Sequence, residues 1–138
     1  AMKAFHDAGI RTTCFISPIF PGLTDVKAII RRAKAQCNLI WLENLNLRGG
    51  YKTVILDYIR EKQPELVPLY QAIYNRGDRR YWEALDDELA AFAAGIGLDY
   101  VTNDDSMTRP FEAPPLIVNF FYHEQIKKSA RKDGGCQA

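Results

Sequence analysis

The sequence has almost no net charge and no long apolar run. Among 138 residues, 18 lysines and arginines nearly balance 17 acidic residues, which leaves a net charge of +1. Such a balance creates no overall field to hold a nucleic acid or an anionic membrane, so either partner would have to be held locally. No apolar run reaches the length of a bilayer span, and the start lacks a signal-peptide pattern. These absences predict a cytoplasmic protein with no membrane partner.

Cysteines are also few, and several familiar catalytic motifs are missing. The chain has three cysteines, Cys14, Cys37 and Cys136, and an odd number at such wide spacing is typical of neither a disulfide framework nor a zinc site. No glycine-rich phosphate loop and no nucleophile elbow occur. We therefore interpret the cysteines as reduced thiols and predict no metal site in this chain.

The length and the apolar content, 47% of the residues, predict one domain with a modest core. β-branched and aromatic residues predict a strand at 11–17, and a nearly continuous apolar run predicts a buried parallel strand at 38–46. Between them, apolar residues at helical spacing predict an amphipathic helix with Thr24 as its N-cap. Residues 1–50 are thus expected to form a βαβ unit with a right-handed crossover.

The rest of the chain has the pattern of helices followed by short strands. The pattern predicts a helical segment in three parts at 51–97. It predicts strands and a basic helix at 98–132, and a disordered tail at 133–138. The sum is an α/β fold with a mostly parallel sheet of three or four strands and covering helices. Standing alone, such a sheet would have unprotected edges.

The two predicted strands of the βαβ unit both end in residues suited to binding a ligand. These polar, proline and aromatic residues are Ser17, Pro18, Phe20, Glu43, Asn44, Asn46 and Arg48. Neighbouring parallel strands bring their carboxyl ends together, and α/β folds bind ligands there. The structural alternative is that the proline ends a strand and the asparagines cap a turn.

Glu43 lies inside an apolar run, where a carboxylate must be paired or reach the mouth of the sheet. Strict alternation places Trp41 and Glu43 on one face and Asn44 and Asn46 on the other. Both sets cannot face one ligand unless the strand bulges. Either the two asparagines together or Glu43 alone should therefore face the ligand.

Other polar groups are weaker candidates. His6 and His123 are isolated, and a lone histidine is more often structural than catalytic. Cys14 is interpreted as a small core residue, and the acidic run at 103–106 as a solvated turn, because its spacing fits no calcium loop. The basic residues near the end are interpreted as a solvated helix face, with phosphate contact as the alternative; they are Lys127, Lys128, Arg131 and Lys132.

The runs AFHDAGIRTTCFISPIFPGLTDVKAIIRRA and IWLENLNLRGG resemble the radical S-adenosylmethionine superfamily. The resemblance is to its spore photoproduct lyase-like and DNA repair photolyase-like group in particular. Members carry a helix ending in Ala-Gly-Ile, a strand, the turn Pro-Ile-x-Pro-Gly, an Asp soon after it, and a helix. Here these features are residues 8–10, residues 18–22 and Asp25. The resemblance covers about residues 4–50, roughly a third of the chain.

The resemblance implies a partial (β/α)6 barrel in which 11–17 and 38–46 are the fifth and sixth strands. In such barrels the ends of these strands line the pocket for the adenine and ribose of S-adenosylmethionine. The residues to which the resemblance gives a cofactor-binding role are Ile16, Ser17, Pro18, Glu43 and Asn44. The candidates for the adjoining substrate pocket are Phe20, Asn46 and Arg48.

One departure from the family decides what this chain could do. Family chemistry needs a four-iron, four-sulfur cluster held by Cys-x3-Cys-x2-Cys near the first strand, and the chain lacks that motif. We therefore expect the carboxyl-terminal part of such an enzyme, whose partner is the missing amino-terminal half of the barrel. The complete protein would bind the cluster and the cofactor, whereas this part alone would bind neither and be inactive. A nucleic-acid substrate is suggested only by the names of the relatives.

Two other interpretations stay open. The chain could be a non-catalytic α/β module that binds a ligand or a protein, or part of an enzyme from a different barrel family. An upstream Cys-x3-Cys-x2-Cys in the open reading frame would separate the first interpretation from these two. Because cutting a barrel would leave the edge of strand 11–17 exposed, we expect the chain to self-associate as a homodimer or a domain-swapped assembly.

Overall fold

The protein is an α/β structure built on a four-stranded sheet in which every neighbouring pair is parallel. The computed structural model describes residues 1–102 and 110–121. The strands are β1 (Thr13–Ile19), β2 (Leu39–Asn44), β3 (Tyr100–Thr102) and β4 (Leu116–Asn119), in the order β1-β2-β4-β3. This confirms the predicted α/β class and its parallel sheet.

Five α-helices are described, together with a 3-10 turn at Pro64–Leu66. The helices are α1 (Met2–Asp7), α2 (Val26–Ala33), α3 (Gly50–Lys62), α4 (Val67–Tyr74) and α5 (Arg80–Gly95). None of these helices is long and apolar enough to cross a membrane. The predicted acidic turn at 103–106, His123, the basic helix and the tail lie outside the described residues.

β1 lies two residues later than the predicted strand, at Thr13–Ile19 instead of 11–17. The register of β1 on β2 is regular up to Ile16 opposite Leu42, then shifts so that Ile19 lies opposite Asn44. Pro18, within the shift, has no N–H to give to the ladder. The proline therefore interrupts the pairing without ending the strand.

The main core lies on one face of the sheet, called the helix face here. Its strand residues are Ile16, Ile40, Leu42 and Ile117, each at most 4% exposed. Ile30 of α2 and Leu89 of α5 belong to the same cluster and are fully buried. Burying one such side chain contributes roughly 1.5–3 kcal/mol, so this cluster fixes the two helices on the sheet.

α2 begins after Asp25, whose Oδ1 accepts a hydrogen bond from the Ala28 N–H at 3.1 Å. The N-cap is thus Asp25, and the prediction of Thr24 was wrong by one residue. Thr24 has another role, because its hydroxyl oxygen accepts a hydrogen bond from the Phe20 N–H at 2.8 Å. Both residues can accept such bonds, and the turn geometry decides which one caps the helix.

A second, smaller apolar cluster joins α3 and α4 to the segments that follow β1 and β2. Its buried members are Leu45, Ile59 and Tyr70, and Phe20 packs against them. The Tyr74 hydroxyl donates a 2.8 Å hydrogen bond to the Leu45 carbonyl. β2 ends at Asn44, earlier than the predicted residue 46, since the chain there turns into this cluster.

Candidate functional site

The face of the sheet opposite the main core carries a row of aromatic side chains, and it is called the aromatic face below. Phe15 lies opposite Trp41, and Trp41 lies opposite Val118. Side chains at register partners point the same way, and every second residue shares a face. The aromatic face therefore carries Phe15, Trp41 and, two residues after Val118, Phe120.

The three rings are in contact. Trp41 stacks on Phe120 with ring centroids 3.6 Å apart and planes 7° from parallel. The centroid of Phe15 lies 5.6 Å from that of Trp41, at 43°. Exposure falls across the sheet, from 63% for Phe15 to 1% for Val118. The accessible part of the aromatic face is consequently at β1 and β2, where exposed ring surface can stack on a planar ligand.

Glu43 lies on the aromatic face next to Trp41, near the carboxyl ends of the strands. The Trp41 indole N–H donates to Glu43 Oε1 at 2.9 Å, and the Ser17 hydroxyl donates to Glu43 Oε2 at 3.1 Å. These two bonds offset the cost of keeping a half-buried carboxylate in a strand. A carboxylate has about four acceptor positions, so Glu43 has capacity left for hydroxyl or amino groups of a ligand.

The turn after β1 is held in place from two sides. Gly22 adopts a φ of 71°, and its N–H donates to the Tyr81 hydroxyl oxygen at 2.8 Å. A Cβ at this position would lie 2.9 Å from Leu66 Cδ2. Glycine fits here because it tolerates the left-handed angle and leaves room for Leu66. The turn thereby keeps the end of β1 fixed beside Glu43.

The remaining candidates from the sequence divide between the two faces. The side chains of Ile16 and Asn44 point to the helix face and are 4% and 7% exposed. Phe20 packs in the second cluster, while Pro18 is exposed at the end of β1. Glu43 thus shares the aromatic face with Ser17, and Asn44 does not.

Asn46 and Arg48 are exposed in the segment between β2 and α3. Both follow the carboxyl end of β2, so they lie at the same edge of the sheet as Glu43. Neither makes a described contact with Ser17 or Glu43.

His6 and the two described cysteines lie away from this edge. His6 Nδ1 is 3.1 Å from Asn38 Oδ1, and the His6 ring stacks on Phe111 with centroids 5.2 Å apart. Asn38 comes just before β2, so His6 braces the amino ends of the strands. Burial raises the pKa of the Cys14 thiol, and it raises the pKa of Cys37 to about 11. Neither thiol is therefore activated as a nucleophile.

The sequence did not single out Phe15 or Phe120. Alternation along 39–47 did place Trp41 beside Glu43, which was the available signal for this face. Phe120 reaches Trp41 because β4 lies next to β2, and strand order is not readable from spacing. In residues 1–102 and 110–121 no group of three or more His, Cys, Asp or Glu side chains could hold a metal ion.

Comparisons with known proteins give a relative of unassigned role. An uncharacterised protein of Methanocaldococcus jannaschii is 36% identical over 76 residues, which are 55% of this chain and 27% of that protein. The matched part therefore spans about a quarter of the relative's length. No protein-family model matches the chain, and no solved structure matches it.

Proposed function

We propose that this chain is the carboxyl-terminal part of a radical S-adenosylmethionine enzyme and that its sheet belongs to a (β/α)6 barrel. The all-parallel sheet and the resemblance of residues 4–50 support this proposal. In barrels of alternating strands and helices, the helices cover the outside and the other face of the sheet lines the interior. The aromatic face would then look into the barrel, and the missing strands would pair with edge strand β1.

The observation that carries the proposal is the position of Glu43. Its carboxylate is held by Ser17 and Trp41 beside exposed aromatic surface, at the strand ends where barrels bind ligands. S-adenosylmethionine offers matching groups: a planar adenine that can stack, ribose hydroxyls that can donate, and a positively charged sulfonium. Glu43 would accept from the hydroxyls, and Phe15 and Trp41 would contact the adenine.

Three further residues of the proposed cofactor pocket act differently from Glu43. Because Ile16 and Asn44 point to the helix face, a ligand on the aromatic face would reach their backbone groups and not their side chains. Pro18, exposed at the end of β1, would limit the width of the pocket. Asn46 and Arg48, farther along the same edge, would meet the substrate.

Within residues 1–102 and 110–121, the side chains do not fit the iron–sulfur cluster. The described cysteines are Cys14 and Cys37, both on the helix-face side, and Cys37 is 2% exposed and donates to the Ala33 carbonyl. A cluster needs several accessible thiolates at close spacing. The cluster, which supplies the electron for cleaving S-adenosylmethionine, would thus be held by the amino-terminal part of the protein.

Binding of S-adenosylmethionine to the complete, anaerobically reconstituted protein tests the role of Glu43. We expect Glu43→Ala to weaken binding at least about tenfold, because hydrogen bonds to charged groups are each worth roughly 1.5–3 kcal/mol. Glu43→Gln should lose less, since the amide keeps one acceptor oxygen. The matched control is Glu83→Gln, which alters an exposed carboxylate on α5. Equal affinity of the Glu43→Ala variant and the wild type would contradict the proposal.

A non-catalytic binding module is the second candidate, and exposed apolar side chains favour it. Phe5 in α1 is 55% exposed, and Ile10, just before β1, is 51% exposed. Phe15 in β1 is 63% exposed. Apolar surface beside an unpaired strand edge suits a protein partner. This candidate predicts no upstream Cys-x3-Cys-x2-Cys in the reading frame and no affinity for S-adenosylmethionine.

A further inference from the structure

A polar cluster lies between α5 and the ends of β3 and β4, on the helix face and apart from Glu43. Asp86 Oδ1 accepts hydrogen bonds from the Tyr100 hydroxyl at 2.6 Å and from the Asn119 amide at 2.5 Å. The same amide is 2.6 Å from the Tyr100 hydroxyl oxygen. Burial and, next, the hydrogen bond to Asp86 raise the pKa of Tyr100, so Tyr100 stays a donor. Asp86 is thereby the common anchor of two strands.

Asn119 links this cluster to the turn that follows β4. Its Oδ1 accepts a 2.7 Å hydrogen bond from the Phe121 N–H, a side-chain-to-backbone bond that defines a tight turn. Asn119 is 4% exposed, so water cannot readily replace any of its three partners, Asp86, Tyr100 and Phe121. The turn directs Phe121 into the core beside Trp82 and Phe120 to the aromatic face.

Phe120 in turn determines how the Trp41 ring is held. The 3.6 Å stack covers one side of the indole, and the backbone N–H of Phe120 donates to the Leu42 carbonyl at 2.9 Å. With the ring plane set, the indole N–H points to Glu43 Oε1 at 2.9 Å. A Trp41 ring free to rotate would leave that oxygen of Glu43 without its protein donor.

We propose that Asn119, anchored by Asp86, is a positioning residue that orients Glu43 through Phe120 and Trp41. α5, packed on the helix face, would thus control a carboxylate on the opposite face of the sheet. That this orientation of Glu43 favours ligand binding rests on the proposed function. The orientation itself is a property of the protein without ligand, so it can be tested separately.

Hydrogen exchange of the two tryptophan indole N–H groups, measured by NMR on the ligand-free chain, tests the proposal. Trp41→Phe assigns the two signals. We expect Asn119→Ala to speed exchange at Trp41 at least about tenfold, because the lost hydrogen bonds are of the size that shifts a local opening equilibrium by that factor. Exchange at Trp82 should change much less, because Trp82 stays buried in the main core even though its ring contacts Phe121.

Three further variants make the outcome decisive. Asp86→Ala should speed exchange at Trp41 as Asn119→Ala does, and it replaces Asn119→Ala in the test if that variant does not fold. Asp86→Asn, which keeps an acceptor oxygen, should restore slow exchange at Trp41. Tyr100→Phe removes one hydrogen-bond partner of Asp86 and one of Asn119 but leaves the bond between Asp86 and Asn119 in place, so it should speed exchange at Trp41 much less than Asn119→Ala does. The proposal is overturned if Trp41 keeps wild-type exchange in Asn119→Ala and Asp86→Ala, if Trp82 accelerates equally, or if Tyr100→Phe matches Asn119→Ala. Failure of S-adenosylmethionine to bind would leave this result standing.

Discussion

At the scale of single residues, Glu43 shows how a strand accommodates a carboxylate. Its two oxygens find donors at the nearest positions on its own face, Trp41 two residues earlier and Ser17 on the neighbouring strand. Asn44, the next residue, points to the helix face and is 7% exposed. The sequence left open whether Glu43 or the two asparagines would face the ligand; in the structure Glu43 shares its face with Ser17, whereas Asn44 lies opposite Ile19.

Cys37 gives a prediction for pH dependence. Burial, the largest cause, raises the pKa of Cys37 from 9.0 to about 11, and the residue is 2% exposed. Because the folded state favours the neutral thiol, the stability contributed by Cys37 is full below pH 9 and is lost as the pH rises towards 11. The difference in the free energy of unfolding between wild type and Cys37→Ser, followed by urea denaturation, should shrink over this range. A difference that stays constant from pH 8 to 11 would contradict the assignment.

At the scale of secondary-structure elements, local patterns predicted where strands and helices form but not how they meet. β-branched and apolar runs located β1 and β2 because these preferences are local. The register shift at Pro18 and the stack of Trp41 on Phe120 depend on contacts between distant segments. Only part of the aromatic face could therefore be predicted from the sequence. Trp41 and Glu43 lie on one strand, so their alternation places them on one face, whereas Phe120 follows a different strand, β4.

Helix α2 offers a prediction about its N-cap. Asp25→Ala should lower the free energy of unfolding by about 1 kcal/mol, because it leaves the Ala28 N–H without its acceptor. Asp25→Ser keeps an oxygen suited to the cap and should cost much less. Urea denaturation of the two variants and the wild type measures both effects. If both variants lost the same free energy of unfolding, the hydrogen bond of the N-cap would contribute nothing to stability.

At the scale of the whole molecule, the strand order leaves β1 at one edge of the sheet and β3 at the other. An unpaired strand edge offers backbone groups to another strand. In the proposed barrel that strand would come from the amino-terminal half of the protein. For the chain by itself, the same edge is where a second copy would pair.

We expect sedimentation of the isolated chain to show association that increases with concentration. Thr13→Lys places a charge on the exposed part of β1 and should weaken the association, since charged side chains at an edge oppose strand pairing. Thr53→Lys, an equal change on the exposed surface of α3, is the control. A clean monomer at high concentration would show that β1 does not pair.

The most direct test of the central claim, that this chain completes a radical S-adenosylmethionine enzyme, is iron and sulfide analysis of the complete protein after anaerobic reconstitution. The account predicts about four iron and four sulfide ions per chain, as one cubane cluster requires, together with reductive cleavage of S-adenosylmethionine. A complete protein that binds no iron or sulfide and leaves the cofactor intact would contradict it.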